Sequence, residues 1–164
     1  MRNKQKGFSL IELLIVVAII LIIAAIAIPN LIRSKMAANE ASAVATLRTV
    51  NTAEVVYSST YNVATVFGTL AQLSDNATPA NCAAGAAPPT SANACLIDSA
   101  IETAGTAPGK SGYLLTLALA NSGYTTNNNP TQPGSSGVRY FYSDQSLVIR
   151  QNGTTAATST DSPI

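Results

Sequence analysis

Phe8-Ser9-Leu10-Ile11-Glu12-Leu13-Leu14-Ile15-Val16-Val17-Ala18-Ile19-Ile20-Leu21-Ile22-Ile23-Ala24-Ala25-Ile26-Ala27-Ile28 is a run of twenty-one residues in which only Ser9 and Glu12 are polar. As a helix rising about 1.5 Å per residue it extends roughly 31 Å, one hydrocarbon thickness of a bilayer. Arg2, Lys4 and Lys6 lie just before it, and such a basic flank stays cytoplasmic, which directs the remainder of the chain outside. The run is too long for the apolar stretch of a cleaved secretory signal. Small residues at Ala24-Ala25-Ile26-Ala27 offer a signal-peptidase site, but the chain beyond them continues as an amphipathic helix instead of starting afresh.

Glu12 stands one turn into this apolar helix. A carboxylate in hydrocarbon costs several kcal/mol unless it is paired or protonated, so an acid there is a functional candidate by default. Two readings apply: the side chain snorkels to the headgroups, or it meets a positive group brought by a neighbouring chain. Snorkelling explains why the acid is tolerated, and pairing explains why it is placed there. Pro29 follows the run and predicts a kink or a locally melted stretch, because proline removes one helical hydrogen bond and clashes with the preceding turn.

Lys6-Gly7-Phe8-Ser9-Leu10-Ile11-Glu12-Leu13, the apolar stretch behind it and Ala24-Ala25-Ile26-Ala27-Ile28-Pro29 resemble the class III signal of type IV prepilins and of the pseudopilins of type II secretion. The resemblance covers about the first thirty residues. It implies cleavage after Gly7 by a membrane prepilin peptidase, which also methylates the new amino group on Phe8, leaving the apolar helix on the mature chain. The chemistry agrees with the residues. Gly7 lets an active site close on the backbone, and cleavage frees the amine that Glu12 lacks within its own segment. An amine and a carboxylate withdrawn from water are costly apart and far less so together. Pairing across chains is therefore expected to favour insertion into a bundle and to help set axial register.

Downstream, residues 30–58 contain neither Gly nor Pro and carry Leu31, Ala38, Ala41, Val44, Ala45, Leu47, Val50 and Val55 at spacings of three and four. This predicts an amphipathic continuation of the helix, with Ala37 and Ala38 small enough for close helix approach. Residues 67–73 read as a short helical turn, Thr78 to Asn93 as loop, and Ala94 to Ala104 as a short helix. Cys82 and Cys95 are the two cysteines of the chain, and an even pair in an exported domain predicts a disulfide. Strands are expected at Tyr113–Leu119, Val138–Tyr142 and Ser146–Arg150, the last two joined as a hairpin through Ser143-Asp144-Gln145. Asn121 to Gly137 reads as a long exposed loop, and the tail after Gly153 as mobile.

The expected fold is therefore α+β: a long kinked N-terminal helix, membrane-spanning in its first half, packed on a small antiparallel sheet, as in pilins. The expected segments are a removed leader at 1–7, a transmembrane and filament-core helix at 8–28 and its amphipathic continuation at 29–60. A connecting region with the disulfide follows at 61–110, then the sheet at 111–152 and a flexible tail at 153–164.

The same composition narrows function. The formal charge is +1 and there is no histidine, so a basic nucleic-acid surface, a Ser-His-Asp triad and the usual Cys/His zinc site are not indicated. Without the leader's three cations, six basic residues face eight acidic ones. No phosphate-binding loop or nucleophile motif is present, so the chain is not expected to be an enzyme or to carry a cofactor. Asp98 and Glu102, one helical turn apart, read as solvated surface. Asp144 with Gln145 is a thin ligand set for calcium. Tyr57 and Tyr61 read as packing against the sheet. Asn76-Ala77-Thr78 and Asn152-Gly153-Thr154 match glycosylation sequons, whose usual meaning is weak in a prokaryotic chain.

Three functions are weighed, the first two being what the resemblance implies. The first is a type IV pilin, a subunit of a helical homo-oligomeric fibre serving adhesion, twitching motility or DNA uptake. It would start as a single-pass inner-membrane precursor and meet lipid, prepilin peptidase and the inner-membrane assembly machinery. The second is a type II secretion pseudopilin, whose short fibre acts in the periplasm. The third is a monomeric membrane-anchored binding protein, which would retain residues 2–7.

Overall fold

The computed structural model describes residues 8–61, 67–74, 82, 88–120 and 123–164. The leader, the Asn76 sequon and most of the Thr78–Asn93 loop lie outside the described residues. The chain forms two compact units, Met1–Lys35 and Met36–Ile164.

Helix α1 is Leu10–Tyr61 and contains Pro29 within its length. The helix does not end at the proline. Its first half is long and apolar enough to cross a membrane, and its side chains there are exposed all round. In the second unit, one face of α1 turns inward: Glu40, Ala43, Thr46, Leu47, Val50, Asn51, Ala53, Glu54 and Tyr57 are buried. Leu47 and Val50 lie on the face that the periodicity predicted. Ala41, Ala45 and Val55 lie outward instead, because the inward stripe includes four polar side chains that an apolar count cannot register.

The sheet is a five-stranded antiparallel meander in the order β1-β2-β3-β4-β5. Its strands are β1 Tyr113–Ala120, β2 Gly123–Pro130, β3 Tyr140–Asp144, β4 Arg150–Asn152 and β5 Ser162–Pro163. β1 is where the sequence placed it. The hairpin is formed by β3 and β4, but later in the chain than expected: Tyr140 faces Asn152 and Tyr142 faces Arg150. Asp144 sets that turn by accepting from the Ser146 N–H at 2.9 Å.

Two expectations fail. Within the expected loop from Asn121 to Gly137, residues 123–130 form β2, paired with both β1 and β3. Tyr124, Thr126 and Asn128 alternate as buried residues along it, so the period of two is present with polar side chains doing the burying. Their hydrogen bonds permit this: the Tyr124 hydroxyl donates to Asn51 Oδ1 at 3.0 Å, Thr126 Oγ1 to the Ser143 carbonyl at 3.2 Å and Asn128 Nδ2 to the Ala43 carbonyl at 3.2 Å. The expected flexible tail is also corrected. Its end pairs as β5 with β4, Ala157 is buried, and Asp161 binds Asn152 Nδ2 at 2.9 Å and the Thr158 N–H at 2.7 Å.

The core joins Leu47, Val50 and Tyr57 of α1 to Tyr113, Leu115 and Phe141 of the sheet, with Leu73, Ile97, Ile101 and Ile149 closing its edges. Full burial of each large apolar side chain contributes about 1.5–3 kcal/mol. Two short helices complete the layer. α2, Leu70–Leu73, is capped reciprocally by Thr69 and Gln72, and α3, Ser99–Glu102, by Asp98. A 3-10 turn continues α3 over Thr103–Gly105. The helix expected across Ala94–Ala104 is thus shorter than its pattern suggested. Asp98 and Glu102 are fixed in local structure: Asp98 Oδ1 accepts from the Ala100 N–H, and Glu102 accepts from Ser74 Oγ at 2.5 Å.

Candidate assembly segment and its supports

Phe8 is exposed and lies two residues before the helix start at Leu10. Ser9 is placed to cap it: the Leu13 N–H donates to the Ser9 carbonyl at 3.2 Å, and the Ser9 N–H donates to Glu12 Oε2 at 2.8 Å. The Glu12 carboxylate is therefore turned back toward the N-terminal end of α1, where unpaired backbone N–H groups and the helix dipole favour negative charge. The segment Ser9-Leu10-Ile11-Glu12 has the S-x-x-E spacing of a capping box, a signal carried by the sequence itself. One oxygen of Glu12 is engaged by its own backbone, and the other is available to a second group.

Behind this end, the helix exposes an unbroken apolar surface, with Leu10 80% and Ile22 64% accessible. A soluble monomer rarely leaves so large a contiguous apolar surface uncovered. It needs lipid or other helices around it.

The second unit holds its part of α1 through side chains that sequence reasoning did not find. Glu40 accepts from the Val138 N–H at 2.9 Å, the Arg139 N–H at 3.2 Å and Arg139 Nε at 2.8 Å. Burial raises the carboxyl's pKa, but these donors outweigh it and hold the group below its ordinary value. Arg139 also donates to Gln151 Oε1 at 2.8 Å and lies over the Phe141 ring at 5.5 Å. Ninety-nine residues separate Glu40 from Arg139, so no local pattern signals the pair.

Cys82 and Cys95 form the expected disulfide, with Cα atoms 5.7 Å apart. Tyr57 and Tyr61 pack with ring centroids 5.1 Å apart, and the Tyr57 hydroxyl donates to the Ser91 carbonyl at 2.7 Å. Among the described residues no group of three or more His, Cys, Asp or Glu side chains is arranged to hold a metal ion. Asp144 is spent on Ser146 and on the Tyr142 hydroxyl. The Asn152 amide of the second sequon serves as a structural clasp: its Oδ1 accepts from the Thr154 and Thr155 N–H groups while its Nδ2 binds Asp161. Arg48, Thr52, Val55, Val56 and Leu147 line an open groove of about 470 Å³ on the second unit.

Residues 2–28 match the prokaryotic N-terminal methylation motif. A type IV wide pilus major component, PilA4, of Thermus thermophilus is 62% identical over 40 residues, 24% of this chain and 30% of the relative. The type IV major pilin protein PilA of Myxococcus xanthus is 49% identical over 51 residues, 31% of this chain and 23% of the relative. The chain is thus similar over part of its length to type IV pilins. The alignments span under a third of each relative's length, and no solved structure matches the chain. The methylation-motif match lies within residues 2–28, and the matches to the two relatives cover 24% and 31% of this chain. Both relatives are named as pilus or pilin proteins and not as enzymes.

Proposed function

We propose that this chain is a structural subunit of a type IV pilus, made as a membrane precursor, cleaved after Gly7 and methylated on Phe8. The observation that carries the reading is the methylation motif over residues 2–28 joined to a helix whose apolar surface is exposed on every side. In the membrane, lipid covers that surface. After extraction, the same surface is covered by the equivalent helices of other copies, and helix packing builds the filament core. Pro29 lies inside the helix, where it removes the hydrogen bond that the Ala25 carbonyl would accept and provides a point of bending.

Glu12 does two jobs in this account. Within its own chain it stabilises the first turn through Ser9. Toward a neighbour, its second oxygen receives the amine freed on Phe8, and the pair is neutral inside the apolar bundle. The Cys82–Cys95 disulfide suits the oxidising side of the membrane. The pilin names of both relatives favour a surface fibre over a secretion pseudofibre.

Shearing the surface of the producing cells and identifying the filament protein tests this. The proposal expects this chain as the subunit of recovered fibres, and expects Glu12→Ala to reduce fibre yield strongly while the precursor is still made. Normal fibre yield and subunit register in the Glu12→Ala strain would remove the pairing role. Absence of this chain from all sheared fibres, with its loss blocking protein export, would favour the pseudopilin reading.

A further inference from the structure

Glu54 is the one carboxylate on the inward face of α1 besides Glu40, and its surroundings are the opposite. Its side chain is wholly buried. Oε2 accepts from the Gly68 N–H at 2.9 Å, and Oε1 has no hydrogen-bond partner. Among the described residues, the titratable groups facing it are Tyr57 on its own helix and Tyr124 on β2, with Asp144 of β3 beyond Tyr124. None is a cation. Residues 62–74, which lead away from α1, include no ionisable side chain. An isolated buried carboxylate is expensive, and such a group takes up a proton in preference to holding its charge.

What Glu54 holds is specific. The Gly68 N–H belongs to the chain that enters α2, and a Cβ at Gly68 would press on Leu73 Cδ2 at 3.2 Å and the Tyr57 ring at 3.3 Å. The backbone at Gly68 is therefore seated directly on the Tyr57 ring. Phe67 packs edge-on against Tyr124 with centroids 4.9 Å apart. α2 in turn receives the chain on either side of Cys95: the Ala94 N–H donates to the Gln72 carbonyl at 2.8 Å and the Leu96 N–H to the Leu73 carbonyl at 2.7 Å. Glu54 thus sits where the region between helix and sheet is fastened to α1.

We propose that Glu54 is a protonation-controlled latch, which as a neutral acid holds the 67–74 segment against α1 and on ionising loosens it. Burial, opposed only by the Gly68 hydrogen bond, raises its pKa from 4.5 to about 7. In the loosened state, water restores the ordinary value. The latched state then binds the extra proton between pH 4.5 and about 7, so the latch is tightest in acid. It weakens as pH rises through that window and changes little above it. The cause is the buried charge and not the hydrogen bond, since the carboxylate remains a good acceptor for the Gly68 N–H.

Hydrogen exchange at the amides of Gly68 to Ser74, corrected for the intrinsic pH dependence of exchange, tests this on the full chain in detergent micelles. Protection is expected to fall at least tenfold from pH 5 to pH 7 and then to level off. Glu54→Gln keeps the shape and an acceptor oxygen for Gly68 without the charge, and it should hold protection constant across that range. Infrared difference spectra should show a protonated carboxyl band that fades from pH 5 toward neutrality and is weaker in Glu54→Gln. Flat protection in the unsubstituted chain, or an equal fall in both proteins, would overturn the latch. None of these readouts depends on filament formation.

Discussion

Replacing Glu40 with alanine is the most informative perturbation of the second unit, because its cost can be worked from the geometry. The Glu40 carboxylate is 7% exposed and satisfies three donors: the Val138 N–H, the Arg139 N–H and Arg139 Nε. A typical intramolecular hydrogen bond contributes about 1 kcal/mol net, with more when one partner is charged. Arg139 is 46% exposed, so its stranded charge recovers much of its hydration, and the ion-pair share is about 1 kcal/mol or less. The two backbone N–H groups form the firmer part of the loss. Together these give about 3 kcal/mol, which for a chain of this size lowers Tm by about 6–12 °C. Arg139→Gln removes only the exposed partner and should cost about 1 kcal/mol. Thermal unfolding of the full chain in detergent, followed by the near-ultraviolet dichroism of its tyrosines, reads both values. The depressed Glu40 pKa fixes a sign as well: its contribution is present above pH 4.5 and is lost as the carboxyl protonates below that value. Glu40→Ala should therefore unfold at nearly the same temperature at pH 3 as at pH 5, after allowance for the other carboxyls. A Tm change under 2 °C at pH 7 would refute the reasoning, as would Arg139→Gln being the more damaging substitution.

Two further outcomes follow from the same packing. Gly137→Ala places a methyl group onto the Tyr113 phenol, whose hydroxyl is held by the Arg139 carbonyl at 2.8 Å. Because Tyr113 is fully buried, its ring cannot swing away, and overpacking should cost about 1–3 kcal/mol in the same unfolding assay. Reduction of the Cys82–Cys95 bridge, which closes a loop across a separation of 13 residues, should lower stability by about 3 kcal/mol. Equal unfolding temperatures with and without reductant would contradict that value.

The parts of this protein that the sequence disclosed are those governed by local chemistry. Residues 13–28 are apolar without exception, and only a membrane or a helix bundle accommodates such a stretch. Glu12 stands out against that background, and the two cysteines had only each other to pair with. The hidden parts depend on contacts between distant residues. β2 reads as loop because Thr125-Thr126-Asn127-Asn128-Asn129 has turn composition, yet its alternate side chains find partners on α1 and β3 that no window along the chain contains. Glu40 and Glu54 resemble surface charges of an amphipathic helix. Both are buried, one because Arg139 and two backbone N–H groups meet it, the other with only the Gly68 N–H. The C-terminal segment reads as mobile because its Thr, Ser and Ala residues carry no pattern. Asp161, bound to Asn152 and Thr158, is what fastens it.

Mass spectrometry of the mature N-terminus tests the central claim most directly. The account predicts a chain that begins at Phe8 and carries one methyl group on its terminal nitrogen, with Met1 to Gly7 absent. A mature chain that retains residues 2–7, or one that begins beyond the apolar helix, would contradict it.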